Sequence, residues 1–376
     1  MKTKISILIY SLASGGAERV VSLLLNELKQ KYDITLFLMN DAVFYDIPHD
    51  LELIYIENSD PQESGIIKLV KLPLLAWRYK KLNKSEISLS FMNRPNYINI
   101  LAKLFGMRSK VIISERAMPS LQHSSGIQGK INQFLIKILY HYADKITANS
   151  LGNSRDIEEN FGCKDVVTIN NPLNIAQIDK LAQQGVQYLD RKFTFITIGR
   201  LDSGKNHALM IEAMREIDAK LYIIGDGELR ENLELKIEHL KLKNKVILLG
   251  RQENPYKYIA QADCFLFTSN YEGFPNVLLE ALACELPIIS TDCQSGPREI
   301  LAPQSDIKLQ LKDKIELAEY GILIPIKNLE KLKESMHLMM QDATLRKSYE
   351  EKAKKRAEDF AIEKIVKKYE EILCVE

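Results

Sequence analysis

Short apolar, β-rich runs alternate with stretches of helical periodicity from one end of this chain to the other, and that alternation limits its fold most narrowly. The strand-like runs are residues 5–10, 34–39, 52–56, 87–91, 111–114, 145–149 and 166–169, then 193–199, 220–225, 246–250, 264–268 and 288–291. Helical segments between near-continuous apolar strands imply parallel sheets covered on both faces. The expected fold class is therefore α/β, with two doubly wound parallel sheets. A length of 376 residues exceeds what one core usually accommodates, so two domains are expected. The turn signal Asn170-Asn171-Pro172 sets them at 1–171 and 172–359, with a polar connection at 183–191 and a C-terminal helix within 360–376.

Three loops join these strands to helices in a way that suits a ligand. Residues 199–206, Gly-Arg-Leu-Asp-Ser-Gly-Lys-Asn, follow a strand and precede a helix. Such a turn aims backbone N–H groups, a helix dipole and the cations Arg200 and Lys205 at one point, as a diphosphate requires. The string also meets most of the Walker A pattern, but Asn206 stands where Ser or Thr must hold magnesium, which disfavours a P-loop NTPase. Near the N-terminus a strand runs into Ser14-Gly15-Gly16-Ala17-Glu18 before a helix at 20–28. Adjacent glycines permit close backbone approach, while the missing Gly-x-Gly-x-x-Gly spacing argues against NAD-dependent hydride transfer.

The third loop, Tyr271-Glu272-Gly273-Phe274-Pro275-Asn276-Val277, leads into a helical pattern containing Glu280. Pro275 suits a first helical position. Eight helical steps would separate Glu272 and Glu280 by ~12 Å along the axis and ~80° around it. That is too far to share a proton or a metal, so the two would grip different parts of one long ligand. A hydrolase with paired carboxylates flanking one bond is disfavoured by the same spacing. Solvated glutamates on a capped amphipathic helix are the alternative.

Taken together, these segments with Gly225-Asp226-Gly227-Glu228-Leu229-Arg230 and the turn at 250–255 resemble the retaining glycosyltransferases of family four, over essentially the whole chain. The N-terminal strand and glycine loop, Phe91-Met92-Asn93-Arg94-Pro95-Asn96-Tyr97 and Gly204-Lys205-Asn206-His207 look similar to a narrower group. These are bacterial N-acetylgalactosaminyltransferases that extend an undecaprenyl-diphosphate-linked glycan for protein N-glycosylation, above all by α-1,4 linkage. The resemblance implies a GT-B fold of two Rossmann-like domains facing across a cleft, with the C-terminal helix packed back on the first. It implies displacement of UDP from a UDP-N-acetylhexosamine, with Glu272 orienting sugar hydroxyls and Glu280 binding the ribose. The segment Gly273, Phe274, Pro275, Asn276 and Val277 would meet phosphate and sugar, with Gly199 beside them and Gly15 and Gly16 approaching from the other domain. Many relatives carry a functional histidine where this chain has Glu115 and Arg116; these two and Arg94 are candidates for the acceptor. A family-four enzyme of lipopolysaccharide, capsule or other surface polysaccharide assembly fits the same motifs.

Charge excludes a dedicated nucleic-acid binder, the formal net being +1. It is uneven, however. Residues 1–170 hold 21 Lys and Arg against 17 Asp and Glu, a net of +4, and the remainder is −3. Between 64 and 84 lie six cations, no acid, an apolar set and Trp77, a pattern of interfacial membrane contact broken or entered at Pro73. A surface helix with a core-facing stripe is the competing reading. The similar run at 130–142 reads as plain core helix. No apolar stretch nears the ~20 residues that span a bilayer, and Met1-Lys2-Thr3-Lys4 leads directly into a strand, so a peripheral protein on the cytoplasmic membrane face is expected. The five cysteines lack Cys-x-x-Cys spacing and suit reduced thiols. No His-Glu-x-x-His or Asp-x-Asp occurs, so neither metal nor cofactor is expected, and Arg200 and Lys205 would carry the leaving group's charge.

Overall fold

The computed structural model describes residues 2–13, 15–60, 62–185 and 192–374. Ser14 and residues 186–191, the greater part of the expected polar connection, lie outside the described residues. The chain forms two compact units, Met1–Pro172 with Ile362–Glu376, and Leu173–Ala361.

The first unit is built on seven parallel strands: β1 (Lys4–Ile9), β2 (Asp33–Leu38), β3 (Glu52–Tyr55), β4 (Ile87–Phe91), β5 (Lys110–Glu115), β6 (Lys145–Ala148) and β7 (Val167–Thr168). Their order is β3-β2-β1-β4-β5-β6-β7. Alternate residues of β1 serve opposite faces, as a pleated strand requires. Ile5, Ile7 and Ile9 join the core formed with the helices Gly16–Leu28 and Ile362–Leu373. Leu8 joins the other core, with helices Leu72–Leu82, Asn93–Leu104 and Gly126–Leu139. The helix Gly16–Leu28 buries Val20, Val21, Leu24, Leu25 and Leu28, and truncating one such leucine to Ala costs ~2–5 kcal/mol. It starts four residues before the expected position 20, with Gly15 as its cap.

The second unit holds β8 (Thr194–Ile198), β9 (Lys220–Ile224), β10 (Val246–Gly250), β11 (Cys264–Phe267), β12 (Ile288–Thr291), β13 (Glu316–Ala318) and β14 (Gly321–Ile324), ordered β10-β9-β8-β11-β12-β14-β13. The expectation of a wholly parallel sheet needs correction here. β13 and β14 form an antiparallel hairpin at the edge, joined by Glu319-Tyr320. β13 is three residues long and partly exposed, too short to announce itself by periodicity.

Each sheet reverses its winding direction once, between β1 and β4 in the first unit and between β8 and β11 in the second. In open parallel sheets the loops at the carboxyl ends of the two strands flanking such a reversal diverge and leave a crevice. In the second unit those loops are 199–206 after β8 and 268–275 after β11.

Candidate active site

The loop after β8 rests directly on backbone. Gly225 has φ +142, and a Cβ there would lie 1.9 Å from the Gly199 carbonyl oxygen. A Cβ on Gly227 would lie 2.6 Å from that of Leu201. Without those side chains, Leu201 N–H can donate to Asp226 O (3.0 Å) and Leu229 N–H to Leu201 O (3.0 Å). Asp202 Oδ1 then accepts from the N–H groups of Gly204 (2.9 Å) and Lys205 (3.1 Å), an Asx-type turn that sets the next residues.

The loop after β11 clamps the first one from its other side. Buried Thr268 donates its hydroxyl to the carbonyls of Lys205 (3.0 Å) and Asn206 (3.1 Å). Asn270 donates from its backbone to Gly204 O (2.8 Å) and from its side chain to Ser203 O (3.0 Å). Glu272 is held in turn by the segment after β12, donating N–H to Gln294 O (2.9 Å) and accepting at its carbonyl from Ser295 N (3.0 Å).

These clamps bring Lys205 and Glu272 into a side-chain ion pair. The lysine side chain is 29% exposed and the glutamate 13%, so the pair sits at the crevice wall rather than in the core. Lys205 Nζ also lies 5.9 Å from the Phe267 ring centroid, within cation–π range. Arg200 does not converge with it. Its side chain is 72% exposed and its Nε stands 3.7 Å from Asp202 Oδ2.

Pro275 is the cap of the helix Asn276–Ala283, with extended φ −74 and ψ 109, and is not its first helical residue. The correction has a steric reason. Gly296, at φ +100, packs so tightly that a Cβ would fall 2.6 Å from Pro275 Cδ, fixing the entry path one residue earlier. Phe274 is buried against Phe360, ring centroids 5.5 Å apart, and so anchors the loop. Gly273 accepts the Ser295 hydroxyl at 2.8 Å, while Asn276 and Val277 open the helix, half-buried. Glu280 lies on the second helical turn and is buried. Gly199 ends the strand side, with the His207 ring 3.6 Å from where its Cβ would stand.

His207 is a residue that sequence reasoning passed over. It is buried, and its Nδ1 has no hydrogen-bond partner. Burial, aided by repulsion from Lys205, pushes its pKa down to about 4, so the imidazole is neutral at pH 7. Thr268 and Asn270 were also missed. The available signal was a polar Thr-Ser-Asn directly after an apolar strand and before the glutamate loop.

In the first unit, Gly15 caps the helix Gly16–Leu28 after β1, and the Glu18 carboxylate covers it, so a Cβ would lie 2.1 Å from Oε2. Arg94 follows β4 and forms an ion pair with Glu57 (2.9 Å) while donating to Ser59 Oγ (3.2 Å). Glu115 ends β5 fully buried, accepting from Tyr140 Oη (2.7 Å), Asn93 Nδ2 (3.1 Å) and Arg116 N (2.9 Å). Desolvation holds its carboxyl above the ordinary range. Arg116 is buried too, donating to Asn171 Oδ1 and, at 3.4 Å, to Tyr369 Oη. All three are engaged with groups of their own unit. Among the described residues no cluster of three or more His, Cys, Asp or Glu is arranged to hold a metal ion.

Comparison with known proteins fits this arrangement. Residues 179–356 match the family Glycosyl transferases group 1. The chain is 40% identical over 372 residues, 97% of each sequence, to the N-acetylgalactosamine-N,N'-diacetylbacillosaminyl-diphospho-undecaprenol 4-alpha-N-acetylgalactosaminyltransferase of Campylobacter jejuni. It is 27% identical to a second alpha-1,4-N-acetyl-D-galactosaminyltransferase of that organism, over 99% of this chain and 98% of the other. The structure of Anabaena HepE in complex with UDP and glucose superimposes with a TM-score of 0.78 at 19% identity, covering 99% of both chains. With 40% identity over 97% of the chain and a backbone that superimposes over 99% of its length, this chain belongs to the group 1, GT4-type glycosyltransferases and has their GT-B fold.

Proposed function

We propose that the protein transfers N-acetylgalactosamine, in α-1,4 linkage, from a UDP-sugar to an undecaprenyl-diphosphate-linked glycan, with retention at the anomeric carbon, in a pathway of protein N-glycosylation. The observation that carries this reading is the 40% identity over 97% of the chain to an enzyme named as a 4-alpha-N-acetylgalactosaminyltransferase acting on a diphospho-undecaprenol glycan.

The geometry of the second unit is consistent with this chemistry. Lys205 and Glu272 form a side-chain ion pair and neutralise each other. A sugar diphosphate entering the crevice would draw the ammonium to its phosphates and leave Glu272 for the sugar hydroxyls. Transfer then breaks the bond between the anomeric carbon and the β-phosphate oxygen and forms one to the acceptor oxygen. The hydroxyl proton passes to the departing phosphate oxygen, so UDP leaves without a protein base. Charge grows on the diphosphate as that bond breaks, and Lys205, fixed by its backbone clamps, stabilises it more than the ground state. Arg200, exposed on the same loop, is proposed to swing onto the phosphates, and the pair is proposed to replace a divalent ion. Glu280 is proposed for the ribose, and Gly15 and Gly16 for close backbone approach to the ligand.

A lipid-linked acceptor requires a membrane nearby. No helix among the described residues is long and apolar enough to cross one. We assign contact to residues 64–84, which form the helices Gly65–Val70 and Leu72–Leu82, with Pro73 in the first turn of the second. Replacing Lys80, Lys81 and Lys84 by Gln should weaken binding to anionic liposomes, and undiminished binding would sink that assignment. For the reaction, radiolabelled UDP-N-acetylgalactosamine incubated with a short polyprenyl-diphosphate glycan in EDTA should yield labelled lipid. Label remaining wholly in nucleotide or free sugar would defeat the proposal.

A further inference from the structure

Large apolar side chains exposed among the described residues are unevenly shared, 18 in the first unit and four in the second. Four of the 18 lie on the helix Gly126–Leu139, which overlaps the run 130–142 expected from sequence to be plain core helix. At ~100° per residue, Ile127, Ile131, Phe134 and Ile138 fall within about 60° of one another. They face away from Asn132, Ile136 and Leu139, which are buried. The helix is thus apolar on two opposite sides, of which the sheet takes only one. Ile127 is 77% exposed and Phe134 61%.

The neighbouring helices repeat the arrangement. Ile66, Ile67, Val70, Leu74 and Trp77 are exposed on the outer side of 65–82. The two regions touch, since a Cβ on Gly65 would fall 1.9 Å from Gln128 Nε2. Continuous exposed apolar surface of this kind marks an interaction site. Its charge says which kind. None of the three helices carries an acidic residue, and the exposed Arg78, Lys81, Lys130 and Lys137 border the stripes. The Lys81 ammonium lies 3.5 Å from the Trp77 ring centroid, an aromatic and cationic pairing suited to a headgroup layer. A twofold contact with a second copy would set this one-signed border against itself.

We infer that the outer face of the helix Gly126–Leu139, continuous with that of residues 65–82, lies flat on a bilayer of anionic lipids. The inference rests on the proposed lipid-linked acceptor and extends the membrane contact to an element that sequence alone assigned to the core. A helix of 14 residues is too short to span and lies in the interface plane, with its apolar stripe among the acyl chains.

The test is vesicle flotation of the full chain with phosphatidylglycerol/phosphatidylcholine (1:3) and with phosphatidylcholine alone. Wild type should bind the anionic vesicles at least tenfold more tightly. Phe134→Ser/Ile138→Ser should lose that binding by tenfold or more with unchanged melting temperature. Lys130→Gln/Lys137→Gln should lose about fivefold per lysine, on anionic vesicles only. Wild-type binding by the Phe134→Ser/Ile138→Ser variant would overturn the inference, as would a dimer in wild type that this variant abolishes. A water-soluble short-chain acceptor separates this from the proposed function. Both variants should turn it over like wild type, whereas its rejection by wild type would defeat the proposed reaction and leave the vesicle result standing.

Discussion

Lys205 and Glu272, 67 residues apart in sequence, meet as an ion pair at the winding reversal of the second sheet. Each is delivered by a loop at the end of a different strand, and both loops are fastened by main-chain bonds that do not involve the two charged groups. Lys205→Ala should therefore leave the melting temperature nearly unchanged. It should lower kcat/KM by ~10²–10³, the loss typical of removing one preorganised transition-state contact. Calorimetry and initial rates on one preparation check both halves.

The pair also predicts opposite effects on binding and turnover. Glu272→Gln removes the charge that competes with a ligand for Lys205. A partly exposed ion pair is worth up to ~1 kcal/mol, so UDP alone should bind up to about fivefold more tightly. Transfer should fall because the sugar hydroxyls lose a carboxylate acceptor. Titration calorimetry with UDP beside steady-state kinetics would show the split; parallel loss of both would mean that Glu272 binds the nucleotide directly.

Gly225 carries the packing of the Lys205 loop. Gly225→Ala combines a positive φ of 142° with a clash against Gly199 O, and should destabilise by ~3 kcal/mol. Gly162, at φ +74 with nothing within 4 Å of where a methyl group would stand, is the control. Gly162→Ala should cost only ~1 kcal/mol. Urea denaturation of the two variants measures the difference.

His207 gives stability a specific pH dependence. Its ordinary pKa of 6.5 is pushed down to about 4 in the fold. Between these values the unfolded chain binds a proton that the folded chain does not, so stability falls as pH drops through that window. The loss approaches ~3 kcal/mol, from about 1.36 kcal/mol per pH unit. His207→Phe should remove this component while leaving the contribution of all other groups in place. Denaturation midpoints at pH 7 and pH 4.5 for both proteins test it, and equal slopes would show that the imidazole protonates in place.

A structural ion pair elsewhere in the second unit should behave differently from the site pair. Arg298 donates to both Asp292 oxygens, at 3.0 and 2.7 Å, and to Glu316 at 2.9 Å, and the Arg298 and Asp292 side chains are almost fully buried. Arg298→Met strands a buried carboxylate and should cost ~3–5 kcal/mol. Adding Asp292→Asn should recover at least half of that in melting experiments.

Much of the architecture was legible because buried parallel strands are apolar throughout. The runs at 87–91, 246–250 and 288–291 coincide with β4, β10 and β12. The hairpin of β13 and β14 was not legible, since an edge strand of three residues has too few positions to show a pattern. At the site, sequence placed Lys205 and Glu272 on loops beside a ligand, but their pairing depends on Thr268 and Asn270 reaching across from another strand. The outer face of Gly126–Leu139 was misread for a related reason. Apolar residues on two sides of a helix predict burial on both, and only the packed structure shows that one side stays exposed among the described residues.

The central claim is a transfer to a lipid-linked glycan, and mass spectrometry of the product tests it most directly. Purified protein given UDP-N-acetylgalactosamine and a polyprenyl-diphosphate glycan ending in N-acetylgalactosamine should add about 203 Da per transfer, as an N-acetylhexosamine does, with Lys205→Ala adding almost none. An acceptor of unchanged mass, with wild type instead extending a glycan that lacks the lipid diphosphate, would contradict it.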